Sequence, residues 1–533
     1  MSFKKTLVAC TVGVACATAP MYTIAADKEQ PNVLVIVLDD LGKAQLDFAM
    51  EDIDKEVMKK RPQSTRFEVD FDKGYEAAKQ AMPNIVKLAS EGVSMTNAYV
   101  STPVCGPSRA GILTGRYPHS FGTYSNVDAK SGIPLDVTML PELLQESGYA
   151  TANIGKFHNA KVKRTKVAED KRTHDYHDNV IFKPEKGFFP NDRGFDYSYS
   201  FFASGTALYD SPSIFRNYEN ADASGFITHN LTNETLGFID KAEKEDKPFF
   251  INLAYSVPHI PLEANAPAKY MDKFNTGNPE VDRYYAHVNA SDEGIGKIIQ
   301  KLKDTGEYEN TLIFFLSDNG AVGDSPMPLN GDNKAFKGQR YRGGINVPFI
   351  AHWKGVLPEG VKNDTMISGM DILPTALKAA GVAIPSELKV NGVDILPTLK
   401  GEKTQPHDYL YWAGPRAFHF DIEKNDDFWQ QYWKWVTYEG PKFERSKFVE
   451  KKSRGEWAIY DQEWSLHFYD NFGKPEYELY HYASDASESK NVIEQNPKKF
   501  KEMKAEFYQW IKDKPKPLRW GDERYDTMTS SAK

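Results

Sequence analysis

Two stretches of this chain constrain its fold more than any others, and both end the same way. Residues 32–38 read NVLVIVL and residues 311–316 read TLIFFL. Continuous apolar runs of this length, rich in β-branched and aromatic residues, read as strands buried on both faces. That is the pattern of a parallel sheet sandwiched between helices. The first run stops at Asp39-Asp40 and the second at Ser317-Asp318-Asn319. In an open α/β sheet the ligand crevice lies beyond the carboxyl ends of the strands. Two acidic or amide pairs far apart in sequence are therefore expected at one edge. Clustered carboxylates repel each other, and a bound cation removes that cost. Oxygen ligands favour a hard ion, Ca²⁺ or Mg²⁺, over zinc. For either pair taken alone, helix capping or turn formation is the competing explanation.

The rest of the chain fits the same class. Helices are expected over 84–91, 107–114, 140–147, 227–244 and 284–305, and further strands over 94–99, 149–154, 248–255 and 347–352. Strands alternating with helices give an α/β domain around a large, mixed, mostly parallel sheet. Residues 43–81 show no clean periodicity. They read as a partly helical insertion that leaves the first strand beside Asp39-Asp40, placed to wall a pocket. After Gly401 the texture changes to short aromatic-rich segments at 409–412, 433–438, 457–460 and 477–480, followed by a helical pattern over 496–512. These predict a smaller C-terminal α+β subdomain with an antiparallel sheet. The expected division is a leader over 1–26, the main domain over 27–400 and the subdomain over 401–533.

The leader rests on Lys4-Lys5, an uncharged run over 6–19, and Ala25-Ala26 before Asp27. This is the layout of a secretory signal peptide cleaved after Ala26, and its apolar run is short for a membrane span. Leu7-Val8-Ala9-Cys10 has a faint lipoprotein pattern, with too few apolar residues ahead of it. The protein is expected to be exported, to the periplasm, the cell surface or the medium, with no membrane span. A net charge of -8 gives no general attraction to nucleic acid. Of three cysteines, Cys10 and Cys16 fall in the leader, so Cys105 is alone in the mature chain. A lone thiol in an oxidising compartment is a liability unless it is buried or chemically used.

The neighbours of Cys105 favour use. Cys105-Gly106-Pro107-Ser108-Arg109 opens Ala110-Gly111-Ile112-Leu113-Thr114-Gly115-Arg116. This segment resembles the signature of the formylglycine-dependent sulfatases, a family of the alkaline phosphatase superfamily. Further blocks resemble the family in its order: Pro83-Asn84-Ile85 onward to Tyr99, Gly155-Lys156-Phe157-His158, Gly194-Phe195-Asp196, Pro258-His259-Ile260-Pro261, Ser317-Asp318-Asn319-Gly320 and, near the end, Tyr477-Glu478-Leu479-Tyr480 with Asn491-Val492 and Asn496-Pro497.

The resemblance implies an alkaline-phosphatase-like fold and a sulfuric ester hydrolase. A maturation enzyme would oxidise Cys105 to formylglycine (3-oxoalanine). One hydroxyl of the hydrated aldehyde would attack sulfur, and collapse back to the aldehyde would release sulfate, a step that a thiol could not complete. It also implies that Asp39, Asp40, Asp318 and Asn319, with residue 105, bind one Ca²⁺. Arg109 would orient the formylglycine, and Lys156 and Lys337 would hold sulfate oxygens. His158 would act as base, and His259 would protonate the leaving oxygen. A sulfate ester is a permanent anion, so fixed positive charge suits such a site.

Three features depart from the pattern or bear on substrate. In Phe336-Lys337-Gly338-Gln339-Arg340-Tyr341-Arg342-Gly343-Gly344, Arg342 stands where the family usually has Glu, and Lys334 competes with Lys337 as the sulfate-binding lysine. Arg172, His174 and His177 lie in a polar loop, facing either substrate or solvent. Phe428, Trp429, Tyr432, Trp433 and Trp435 could stack on sugar rings or pack the subdomain core. The expected substrate is a sulfated saccharide, an algal galactan, ulvan or a glycosaminoglycan. A phosphonate or phosphodiester hydrolase of the same superfamily is the alternative, and a non-catalytic binder of sulfated glycans is a third reading.

Overall fold

A computed structural model describes residues 30–60, 69–166, 180–260, 262, 264–323, 325, 327–415, 455–471, 474–519, 525–526 and 528–529. The leader, the 172–177 loop and the 428–435 aromatic cluster lie outside the described residues. So does the strand expected over 433–438.

The main sheet has ten strands. Their spatial order is Val361–Asn363, Val93–Met95, Phe349–His352, Thr311–Ser317, Asn32–Leu38, Phe249–Ala254, Ala150–Lys156, Tyr197–Phe201, Phe215–Arg216 and Glu219–Asn220. The five from Thr311–Ser317 to Tyr197–Phe201 run parallel. Antiparallel neighbours flank them at Phe349–His352 and Phe215–Arg216. The sheet is thus mixed and mostly parallel at its centre, as the apolar runs predict.

Side chains alternate across a strand, and Asn32–Leu38 is buried along its whole length. Leu34, Ile36 and Leu38 face one core, shared with helices Phe71–Ala81, Ile227–Lys244 and Pro279–Asp304. Val33, Val35 and Val37 face a second core, shared with helices Cys105–Thr114, Leu140–Glu146 and Ile372–Ala379. Each such fully buried side chain contributes about 1.5–3 kcal/mol before entropy is counted. This explains why a strand with no polar face is stable only as the middle layer of a sandwich.

Two expectations are corrected. The strand expected over 94–99 is two: Val93–Met95 belongs to the main sheet, while Ala98–Tyr99 pairs with Ile367–Ser368. The long helix begins at Pro279, not 284, because Asn278 caps it by accepting from the Glu280 and Val281 amides. The 43–81 stretch is largely helical in its described part, Lys43–Ala49, Lys55–Lys59 and Phe71–Ala81. Phe48, Met58, Phe71 and Tyr75 from it are buried in the first core.

The C-terminal sheet is antiparallel, in the order Leu410–Pro415, Gly455–Tyr460, Ser465–Asn471, Lys474–Tyr480. Trp457 stacks on Phe507 of helix Pro497–Ile511, with ring centroids 4.0 Å apart. Its other face meets the main domain. Leu410, Trp412 and Tyr460 share a core with Tyr99, Val100 and Ile345, and Trp412 Nε1 donates to Val100 O at 2.7 Å.

Candidate active site

Four adjacent central strands deliver polar side chains at their carboxyl ends. Asn32–Leu38 is followed by Asp39 and Asp40, and Thr311–Ser317 by Asp318 and Asn319. The pairing of Leu38 with Ser317 sets the two acidic pairs side by side. Ala150–Lys156 ends on Lys156, two residues before His158, and Phe249–Ala254 leads to His259. The fifth contributor is a helix. Cys105 is the first residue of Cys105–Thr114 and Arg109 lies one turn on, on the same face.

These residues form one charge cluster. Asp39, Cys105 and Asp318 each place a ligand atom within 4.8 Å of the others, as do Asp39, Asp40 and His259. Arg109 sends Nε and Nη2 to Asp318 Oδ2 at 2.8 and 2.7 Å, and Nη1 to Lys156 O at 3.2 Å. Lys156 Nζ donates to Asp39 Oδ2 at 2.5 Å. Lys337 Nζ donates to both Asp40 oxygens at 2.6 and 2.8 Å. Asn319 Nδ2 donates to Asp40 Oδ1 at 2.7 Å. His259 Nε2 lies 3.7 Å from Asp40 Oδ2. The sequence-predicted residues in these contacts therefore converge, with His158 two residues beyond Lys156, and the two competing lysines part in space. Lys337 enters the cluster, whereas Lys334 turns away to Glu478 and Tyr480 at 3.1 and 2.7 Å. Arg342 also points elsewhere, to Tyr99 OH at 2.5 Å and Asn97 Oδ1 at 3.2 Å.

The electrostatics follow from burial. Burial pushes the Asp39 carboxyl up to about 8, with Asp318 and Asp40 adding to the effect and Lys156 and Arg109 opposing it. Burial would raise Asp318 too, but Arg109 and Lys156 outweigh it and hold that carboxyl below its usual range. Burial drives His158 well below the usual histidine range, and Lys156 and Arg109 add to this. The ring is neutral at neutral pH, and its Nδ1 has no hydrogen-bond partner; the same burial and cations disfavour its protonated form, so any proton it takes needs an opposing negative charge beside it. Burial works against the charge on Lys337, but the surrounding carboxylates, Asp40 first, keep it protonated. Asp40 and His158 also hold left-handed backbone, φ 67° and 51°. Strain of this kind concentrates at functional sites.

The donor set suits a hard cation. Asp39 Oδ1 and Asn319 Oδ1 are buried oxygens that accept no hydrogen bond, and such atoms are costly unless something positive faces them. They sit among three carboxylates, with the Cys105 side chain alongside.

One residue of the cluster belongs to none of the sequence motifs. Asn126 donates from Nδ2 to Cys105 Sγ at 3.5 Å and accepts from the Gly106 amide at 3.0 Å. The backbone donor fixes the amide's orientation, so its NH₂ faces residue 105. Nothing in the spacing of Asn126, 21 positions from Cys105, points to it.

Comparison with known proteins gives the same answer. A family model described as Sulfatase matches residues 31–382, a span that contains every residue of this cluster. The chain belongs to the sulfatase family. The sulfatase is 42% identical over 493 residues to "Uncharacterized sulfatase YdeN" of Escherichia coli (strain K12), covering 92% of this chain and 87% of that one. It is 27% identical to the N-acetylgalactosamine-6-sulfatase of the dog, Canis lupus familiaris, over 81% of this chain and 76% of the other. Among solved structures it resembles Ps i-CgsB in complex with k-i-k-neocarrahexaose, at TM-score 0.70 and 26% identity, over 95% of this chain and 98% of that one. The sulfatase is a sulfuric ester hydrolase with the fold of the alkaline phosphatase superfamily.

Proposed function

We propose that this sulfatase hydrolyses sulfate esters on a carbohydrate. The observation that carries the reading is the convergence of Cys105, three fixed cations and two histidines on one acidic, oxygen-rich cluster at the carboxyl edge of the sheet. The carbohydrate assignment is supported by relatives named for N-acetylgalactosamine 6-sulfate and by a structural neighbour solved with a neocarrahexaose. We take Cys105 as the formylglycine precursor, and its oxidised form supplies a hydroxyl nucleophile in place of the thiol. Asp39, Asp40, Asp318 and Asn319, with residue 105, would hold one Ca²⁺, which supplies positive charge against the carboxylates and the ester.

The chain's own residues do the rest. Arg109, locked on Asp318, fixes positive charge beside residue 105. Lys156 and Lys337 bring two ammonium groups to the same cluster and offset the charge of the anionic ester. His158, buried and neutral, would serve as base toward the residue-105 hydroxyl, as the family resemblance implies. His259, whose side chain is 22% exposed, stands nearer solvent and donates a proton to the departing sugar oxygen. No helix among the described residues is long and apolar enough to cross a membrane. Export is proposed on the leader pattern of residues 1–26.

Sulfate release from a panel of defined sulfated oligosaccharides by the matured enzyme tests this reading. Release from a saccharide, with aryl phosphodiesters and phosphonates far poorer, is expected. Faster turnover of a phosphodiester would overturn it in favour of phosphoryl chemistry, and no release from any sulfated glycan would leave a binding protein.

Metal dependence gives a separate expectation. Stringent chelation should lower activity about 100-fold or more, since metal-ion polarisation is worth several kcal/mol. Circular dichroism should still show the folded main domain, because the donors stand on strand ends fixed by the sheet. Undiminished activity after chelation would remove the metal from the scheme.

A further inference from the structure

The segment that carries Lys337 is gripped from its far side by the C-terminal sheet. Residues 334–342 read KAFKGQRYR and place cations at Lys334, Lys337, Arg340 and Arg342. Only Lys337 turns inward to Asp40. Lys334 Nζ donates to Glu478 Oε2 at 3.1 Å, and Tyr341 OH donates to the same oxygen at 2.6 Å. Arg340 Nη1 donates to Glu456 Oε2 at 3.1 Å, in a pair with side chains only 2% and 1% exposed. The Arg342 amide donates to Glu488 Oε2 at 3.2 Å. Glu488 is itself buried and held by Tyr460 OH at 2.6 Å and Ser465 Oγ at 2.7 Å.

On its inner side the segment is tied to the cluster by main chain. The Lys337 amide donates to Ala321 O at 3.0 Å, two residues past Asn319. The Gly338 amide donates to Pro103 O at 2.8 Å, two residues before Cys105.

We propose that Glu478, Glu456 and Glu488 are positioning residues, through which the C-terminal sheet sets where the Lys337 ammonium sits and hence how tightly sulfate is held. The inference rests on the reading of Lys337 as a sulfate-binding group. The physical need is clear. A lysine reaches its target through a flexible four-carbon stem, so its charge is placed no better than its backbone is. The segment from 334 to 341 forms no helix or strand and must be held from outside. Misplacing a binding group by about 1 Å costs up to two orders of magnitude in rate. The Glu478 contact is also insensitive to ordinary pH. Burial alone would raise Glu478, but Lys334 and the Tyr341 hydroxyl hold it down at about 2.

Calorimetric binding of inorganic sulfate to the matured, metal-loaded enzyme tests the proposal as a double-mutant cycle. Glu478→Gln removes the charge that Lys334 meets and keeps an acceptor for Tyr341. It should weaken sulfate binding about tenfold, the scale of one charge-assisted hydrogen bond. It should also raise KM more than it lowers kcat. In a Lys337→Ala background the same change should alter sulfate affinity less than about twofold. Tyr341→Phe keeps the ring on His467, 4.2 Å away, while deleting one bond to Glu478. It should give the same pattern at smaller amplitude and stands in if Glu478→Gln does not fold. An equal factor in both backgrounds, or no effect in either variant, overturns the positioning role. A Lys337→Ala enzyme that binds sulfate like the unaltered protein overturns the underlying reading of Lys337 instead.

Discussion

Cys105→Ala protein should fold, should still bind inorganic sulfate, and should turn over no sulfate ester. The argument for folding is local. Cys105 is the first residue of a ten-residue helix whose every residue is buried, and whose far end is closed by Gly115 at φ 61°. Deleting one buried sulfur resembles removal of a single methylene, about 1 kcal/mol, against a total stability of about 5–15 kcal/mol. The cations that would hold sulfate, Lys156 and Lys337, are anchored to Asp39 and Asp40 and not to Cys105. Chemistry is another matter. Residue 105 is the only cysteine among the described residues, and an alanine offers no route to an aldehyde or its hydrate. Loss of a nucleophile that works as part of a unit costs roughly 10⁶ in kcat, which places the variant below detection. Mass spectrometry of active protein should find the peptide spanning residue 105 lighter than its thiol form. Protein made without a maturation enzyme should match the alanine variant, folded and inactive. Turnover by Cys105→Ala would end the covalent scheme while leaving family membership untouched.

The parts of the site legible in the sequence are those that a strand run announces. Residues 32–38 and 311–316 read as sandwiched strands, and both end in oxygen donors. Their convergence followed from one rule about sheet edges. Their adjacency, set by the Leu38–Ser317 register, was not readable, because pairing partners 279 positions apart leave no local trace. The helix over Ile227–Lys244 was legible to the residue because its period is strong. Strand Ser465–Asn471 was missed for the opposite reason. Leu466 and Phe468 pack toward the helix, but His467 between them is buried as well, against Glu488 at 3.0 Å. Ser465-Leu466-His467-Phe468 alternates, but the pattern ends at Tyr469-Asp470-Asn471 and leaves a run too short to stand out. The choice between Lys334 and Lys337 also escaped local reasoning. Ala335 sits between them at φ 66° and turns the chain, and the partner that draws Lys334 away lies on the C-terminal sheet. Arg342, which departs from the family pattern, proved to serve the joint between the two sheets and not the acidic cluster.

Arg109→Met should lower kcat about 10²–10³-fold and also lower stability, with the loss of stability larger in chelator than in Ca²⁺. Arg109 and Asp318 are 4% and 0% exposed, and the guanidinium forks onto Asp318 Oδ2 with Nη2 also 3.8 Å from Asp39 Oδ1. Removing one partner of such a pair leaves a buried charge uncompensated, at a cost of about 3–5 kcal/mol. Methionine fills the stem's volume, so the lost charge and not a cavity dominates the effect. If Asp39 and Asp318 share a cation, that cation carries part of the compensation, and binding it to the native state adds stability by mass action. The difference in Tm between the parent and Arg109→Met should therefore shrink when Ca²⁺ is saturating. Rate should not recover with it. The variant still lacks a fixed cation beside residue 105, and loss of one preorganised group of this kind costs about 10²–10³ in kcat. Arg109→Lys should restore part of the stability but little of the rate, because a single ammonium cannot reproduce the two-point fork. A Tm difference independent of Ca²⁺ would separate Arg109 from the proposed metal site. Wild-type kcat in Arg109→Met would show that Asp318 needs no arginine to place it against residue 105.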